Sequence, residues 1–176
     1  MTNTQKLNIF VGVDLQKVYA KNLFNNNKKD LETFKKFLSH ELNKDYTHRI
    51  FITKENYSLE SGDYSLLDEV ENLKDTNGYS VVNRKDFACH NCVSMIMQAI
   101  SKARLEQQNE EIPVINKINI CGFNTSTSVL ANVMFIKAIF PTSNINLITN
   151  LCKDFNKQIQ VEVFSILKQH VNIISI

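Results

Sequence analysis

The amino-acid sequence predicts an α/β protein built on a three-layer, doubly wound, mostly parallel six-stranded sheet. Apolar, β-branched runs alternate with segments of helical spacing along the whole chain, the pattern that lays strands side by side through helical crossovers. The first run, Leu7-Asn-Ile-Phe-Val-Gly-Val13, shows little polar alternation, as expected of a strand covered on both faces. A length of 176 residues, 43% hydrophobic and 22% charged, suits one domain over residues 1–176 and excludes wholesale disorder.

After that first strand, residues 28–43 place Leu31, Phe34, Phe37, Leu38 and Leu42 at helical spacing between Lys and Glu, an amphipathic crossover helix. Arg49 to Thr53 reads as a second strand. Leu66 to Leu73 adds a helical turn or two, and Asn77-Gly78 closes a turn before a third strand from Tyr79 to Val82. A second crossover helix runs from Cys92 to about Gln107, where Val93, Ile96, Met97, Ile100, Ala103 and Leu105 mix core spacing with polar positions, and Pro113 stands beyond its end. Val114 to Cys121 is the next strand, followed by Gly122, a polar loop and an apolar helix from about Thr127 to Phe140 that Pro141 stops. Ile145 to Thr149 supplies a fifth strand, Lys157 to His170 a last helix, and Val171 to Ile176 a sixth strand. In such a sheet the ligand crevice lies beyond the carboxyl ends of the strands, so a site is expected just after strands 1, 3 and 4.

The formal charge is +2, from 20 Lys and Arg against 18 Asp and Glu. That balance supplies no field for nucleic acid or an anionic membrane, and neither is expected as a partner. The amino-terminal residues lack a signal-like apolar core, and no apolar run approaches the ~20 residues needed to cross a bilayer. The expected setting is cytoplasmic, where the four cysteines would remain free thiols. Abundant Asn, Lys and Ile with no Trp and only four Gly fit an AT-rich genome, that of a low-GC bacterium or of a virus or phage infecting one.

Three segments fall at the expected strand ends: Val13-Asp14-Leu15-Gln16, Asn83-Arg84-Lys85-Asp86-Phe87, and Gly122-Phe-Asn-Thr-Ser-Thr-Ser-Val129. In order and position they resemble the isochorismatase-like cysteine hydrolases, which include nicotinamidases. Those carry a Val-Asp-x-Gln element, a Lys a few residues before an aromatic-Ser pair, and Gly-x-x-Thr-Asp-x-Cys-Val at the head of a helix. The resemblance implies a general base, an electrostatic Lys and a nucleophilic Cys favoured as thiolate by a helix N-terminus, with backbone N–H groups as oxyanion hole.

Carried over by position, the resemblance assigns Asp14 to the base and Gln16 to its neighbour. With Phe87 as the aromatic, Arg84 takes the Lys position, and a one-residue slip would place Lys85 or Asn83 there instead. Gly122, Thr125 and Val129 match the third motif, whereas Ser126 replaces its Asp and Ser128 occupies the nucleophile position. A serine hydroxyl needs a well-placed base during attack, and Asp14 alone is weak for that task. The candidate catalytic positions are therefore Asp14, Arg84 and Ser128. The candidate binding residues are Gln16, Lys85, Phe87 and Gly122, with Asn124, Thr125, Ser126 and Thr127.

Other readings stand beside these assignments. Asn124 to Ser128 reads equally as helix capping, and Asp14 as a loop-fixing carboxylate. A metal-dependent branch of the family uses His residues after strand 2, and Thr53 to Ser58 contains none, so neither that metal nor any cofactor is expected. Cys89-His90-Asn91-Cys92 offers two thiols at redox or zinc spacing without a second pair. Cys121, Cys152, Met95, Met97, Met134, Phe135 and Phe140 read as packing residues, and His40, His48 and His170 carry no signal. The expected function is a catalytically degenerate member of this fold, acting as a binding or structural component through a homo-oligomer, an unknown protein partner or a small-molecule ligand. The alternatives are an active amide or enol-ether hydrolase using Ser128, and a thiol redox module through Cys89 and Cys92.

Overall fold

The computed structural model describes residues 5–25, 27–54, 62–106 and 112–176. Six strands, β1 (Lys6–Val13), β2 (His48–Lys54), β3 (Tyr79–Arg84), β4 (Val114–Phe123), β5 (Ile145–Lys153) and β6 (Asn172–Ile174), form one sheet in the order β3-β2-β1-β4-β5-β6. Every pairing between them is parallel. The helices are α1 (Lys17–Phe24), α2 (Lys28–Leu42), α3 (Asp68–Glu71), α4 (His90–Glu106), α5 (Leu130–Ile139) and α6 (Lys157–Leu167), with a π-helical turn over Thr125–Val129 leading into α5.

The predicted fold class is the one observed, with differences at the element ends. The chain reverses sheet direction at β1, whose neighbours β2 and β4 are reached by crossovers on either side, so the switch point of the sheet lies between β1 and β4. Leu7, Ile9, Phe10, Val11 and Val13 are each at most 1% exposed, which is why β1 reads as a continuous apolar run. Helix α1 was not among the predicted elements; its mean hydropathy is near neutral and only Ala20 and Phe24 are buried. β3 runs on to Arg84, β4 to Phe123 and β5 to Lys153, because each ladder continues past a polar residue or glycine that interrupts the apolar stretch marking it in sequence. Cys152 therefore lies inside β5 rather than after it. Gln107 and residues 55–58 of the histidine-free stretch lie outside the described residues.

Odd-numbered residues of β4 face α2. Phe34 of α2 stacks on Phe123 at 5.1 Å, and Glu41 meets Asn119 four residues down the strand. Arg49 closes the exit of α2, donating to the carbonyls of Leu42, Lys44 and Tyr46 at 2.8–3.1 Å and so satisfying acceptors that a helix end leaves unpaired. Helix α4 buries Cys92, Ile96, Ala99 and Ala103, spaced by three and four, and its His90 ring stands edge-on to Phe135 of α5. Met97 and Met134, expected in helix packing, are 49% and 38% exposed, on the outward sides of α4 and α5.

The Glu41 carboxylate is fully buried yet well served. It accepts from Lys44 Nζ at 2.5 Å, from Asn119 Nδ2 at 3.0 Å and from the Tyr46 hydroxyl. From Asn119 the chain of amides continues across the sheet: Asn146 donates to Asn119 at 2.7 Å and Asn172 to Asn146 at 3.0 Å. These three asparagines are register partners on β4, β5 and β6, so the ladder satisfies polar groups that burial would otherwise penalise.

Burial opposes ionisation of Glu41, but the bonds from Lys44, Tyr46 and Asn119 outweigh it and hold the carboxyl below its ordinary value of 4.5. A carboxyl depressed on folding contributes stability above its unfolded pKa and loses it as pH falls through the folded one. The urea midpoint of the wild type is thus expected to exceed that of Glu41→Gln at pH 7, with the gap closing as pH drops below about 4.5. A gap independent of pH would show that the carboxylate charge does not hold this corner.

Candidate functional site

The upper end of the sheet presents two residues in left-handed backbone conformation, Asp14 directly after β1 (φ 53°) and Asn124 directly after β4 (φ 55°). Asp and Asn are the non-glycine residues that visit this region most readily. Their strands are brought together by Gly122, which pairs with Val13 at φ 150°. A Cβ on Gly122 would stand 2.0 Å from the Val13 carbonyl oxygen, so only glycine permits the approach. Asn124 Nδ2 then donates to Asp14 Oδ2 at 3.3 Å across the switch point.

Arg84, the last residue of β3, reaches over β2 into this space. Two strand spacings amount to roughly 10 Å, a span that suits a long side chain. Its guanidinium grips Asp14 in a fork, Nε to Oδ1 at 2.9 Å and a terminal nitrogen to Oδ2 at 2.5 Å. That same nitrogen donates to Ser128 Oγ at 2.8 Å, and the other terminal nitrogen donates to the Asp86 carbonyl at 2.7 Å. Asp14 is 0%, Ser128 1% and Arg84 6% exposed. Burial alone would lower the Arg84 pKa, but the hydrogen bonds and charge of Asp14 outweigh that effect and leave it raised, so the group is a permanent cation.

The candidate catalytic positions Asp14, Arg84 and Ser128 are therefore brought into one cluster. Among the described residues no hydrogen bond joins Asp14 to Ser128; the guanidinium stands between them. Three clefts of about 290, 830 and 350 Å³ are lined by other residues, and the Arg84 guanidinium, 6% exposed, occupies the space between Asp14 and Ser128.

The candidate binding residues separate into framework and surface. Gln16 is buried and bridges β2 to the segment before α3: its amide donates to the carbonyls of Lys54 and Tyr64 and accepts from Lys54 N–H at 3.0 Å. Thr125 is buried and donates to the Lys153 carbonyl at 3.0 Å, and Thr127 donates to the Asn124 carbonyl at 3.4 Å. Lys85 is exposed, as is Phe87 at 62%, so the register slip to Lys85 is not the one adopted; Asn83 is likewise turned outward and accepts from Thr53. The capping reading of Asn124 to Ser128 is replaced by another arrangement. The Asn124 side chain caps no N–H of this turn, and the Ser126 N–H instead donates to the Asp154 carboxylate at 2.6 Å.

Asp154 and Asn132 are the two residues that sequence reasoning missed. Asp154 follows β5 and offers no local pattern. Asn132 carries a legible signal as a lone amide in the apolar helix Leu-Ala-Asn-Val-Met-Phe-Ile. It is fully buried, accepts from Cys89 N–H at 2.9 Å, and donates to the carbonyls of Phe87 and Ser128, tying the segment after β3 to the helix that follows β4.

All four cysteines are free and buried. Burial raises the pKa of Cys89 and of Cys92, and pushes Cys152 up to about 12. Protonated, enclosed thiols are the opposite of what thiol exchange requires. Among the described residues no cluster of three or more His, Cys, Asp or Glu side chains is placed to hold a metal ion, and no helix is long and apolar enough to cross a membrane.

Removing one partner of a buried ion pair strands the other charge. Asp14→Asn and Arg84→Met are each expected to cost about 3–5 kcal/mol in urea unfolding, and the Asp14→Asn/Arg84→Met double variant to cost less than the sum. Single losses below about 1 kcal/mol would show that the pair is not the organising contact.

No family model and no curated protein sequence matches the chain. Solved structures do. An isochorismatase hydrolase from Oleispira antarctica superposes with a TM-score of 0.71 at 14% identity, covering 99% of this chain and 96% of that one. The MAR1 ribonuclease from Caenorhabditis elegans gives 0.66 at 11% identity over 99% and 79%. The nicotinamidase/pyrazinamidase PncA from Bacillus subtilis gives 0.65 at 11% identity over 95% and 98%. Names so different on one scaffold leave activity to be argued from the site. The chain has the three-layer α/β fold of the isochorismatase-like hydrolases and nicotinamidases.

Proposed function

We propose that this protein is a catalytically silent representative of the isochorismatase-like fold that acts as a binding or structural component in the cytoplasm. The observation that carries the reading is the bond from Arg84 to Ser128 Oγ. A hydroxyl nucleophile must lose its proton to a base as it attacks. The group beside Ser128 is a guanidinium, which has no acceptor site. Both Asp14 oxygens are engaged by Arg84, one of them also by Asn124. Asp14 is thus committed to a salt bridge, and a substrate carbonyl would have to displace a buried, forked ion pair to reach Ser128.

Two further features favour the same reading. The first N–H groups of a helix are where a developing oxyanion would be held, and the Ser126 N–H at the head of the π turn already serves the chain's own Asp154. On the outer surface, Phe155, Ile159 and Ile166 are 61%, 42% and 50% exposed along α6 and the residue pair preceding it. Ile159 and Ile166, seven residues apart, lie on one side of α6, as a surface used for a protein partner or a second copy would require.

A Ser128→Cys variant tests the closed crevice directly, since the native cysteines are all buried. The added thiol is expected to resist iodoacetamide at pH 8 in the folded protein and to react at once in urea. Neither this variant nor the wild type is expected to turn over nicotinamide or isochorismate. Rapid alkylation of the folded variant would show an open crevice and contradict this reading, and wild-type turnover that Ser128→Ala abolishes would establish a serine-dependent hydrolase instead.

A further inference from the structure

A second concavity lies away from the Asp14 crevice, between α1, α2 and α3, with a volume of about 290 Å³. Its floor is apolar, built from Ala20, Phe24, Leu31 and Leu67, and its rim carries Lys17, Lys21, Lys28 and Lys35 against one carboxylate, Asp68. Four lysines against Asp68 and the Glu69 that pairs with Lys35 leave this patch a local charge of +2, equal to that of the entire chain. Two lysines are already neutralised by α3: Lys17 pairs with Asp68 at 2.9 Å and Lys35 with Glu69 at 3.4 Å. Lys21 and Lys28 form no ion pair among the described residues. Lys28 also opens α2, a helix of 15 residues, where a cation opposes the helix dipole and an anion is favoured.

Exposed lysines are ordinarily a solvated face, and these differ in surrounding an apolar floor. A volume near the lower bound of ~300 Å³ for small-molecule sites selects a small ligand over a macromolecular segment. The apolar floor selects against a bare inorganic anion. We infer that this cleft binds a small free organic anion with an aromatic or branched apolar body. The apolar body lies over Phe24, Leu31 and Leu67, and the anionic group lies between Lys21 and Lys28, away from Asp68. This site is independent of the silent Asp14 crevice, and neither conclusion depends on the other.

The probe is 1-anilinonaphthalene-8-sulfonate, with the uncharged N-phenyl-1-naphthylamine as its counterpart of the same aromatic body. The sulfonate is expected to bind the folded full chain saturably at one site, shifting the amide resonances of Phe24, Leu31 and Leu67. Lys21→Gln/Lys28→Gln is expected to weaken binding about tenfold with an unchanged melting temperature, whereas Lys102→Gln on α4 leaves it unaltered. The neutral counterpart is expected to bind about tenfold more weakly than the sulfonate. Octanoate is expected to compete for the same site. Absence of saturable binding, equal binding by the Lys21→Gln/Lys28→Gln variant, or shifts confined to the cleft of about 830 Å³ lined by Phe37 of α2 with Lys157 and Phe164 of α6 would each overturn the inference.

Discussion

A carboxylate and a guanidinium, both withdrawn from water, meet where β1 and β4 part, and the upper end of the sheet is arranged around that contact. Each charge would be costly alone, so the attraction between them must offset two desolvation penalties and does so only with good geometry and saturated hydrogen bonding. The fork from Arg84 to Asp14 supplies the geometry. Two of the three remaining donors of the guanidinium are used by Ser128 and by the Asp86 carbonyl, and Asn124 adds a third contact to the carboxylate. Three strand ends, β1, β3 and β4, are thereby joined by side chains where backbone pairing stops.

Backbone strain and side-chain bonding work together at this point. Two non-glycine residues in the left-handed region would each carry a cost of order 1–2 kcal/mol. Both are residues for which that cost is smallest, and they bond to one another. Gly122 permits the close approach of β4 to Val13, and Asn132 fixes Ser128 and the segment after β3 to a common amide. The same scaffold in an active hydrolase would need its carboxylate available to a nucleophile. In this chain the carboxylate is tied to a permanent cation, and the head of the following helix is served by Asp154. On the proposed reading, loss of chemistry and gain of a closed polar cluster are two descriptions of one arrangement.

Much of the fold is legible in the residues because parallel strands are marked by unbroken apolar runs, as at Leu7 to Val13, and the longer helices by spacing, as at Phe34, Leu38 and Leu42. Extensions such as Asn83-Arg84 and Asn150-Leu-Cys-Lys153 were missed as strand, since their ladders are held by neighbouring strands rather than by an unbroken apolar run. The clustering of Asp14, Arg84 and Ser128 follows from topology, which sends the ends of β1, β3 and β4 to one edge. What each of them does there does not follow, because a forked salt bridge and an active base look identical in sequence. Asp154 was illegible for a different reason: its contact with Ser126 spans 28 positions and has no local signature.

The state of the Arg84 side chain is the most direct test of a crevice closed by its own ion pair. Nitrogen-resolved NMR of the arginine Nε–H groups at neutral pH should show one resonance, assigned through Arg84→Lys, that exchanges with water far more slowly than that of free arginine. It should lose this protection in Asp14→Asn. An Arg84 Nε–H that exchanges at the rate of a solvated guanidinium would contradict the account, because the crevice would then be open to water and to substrate.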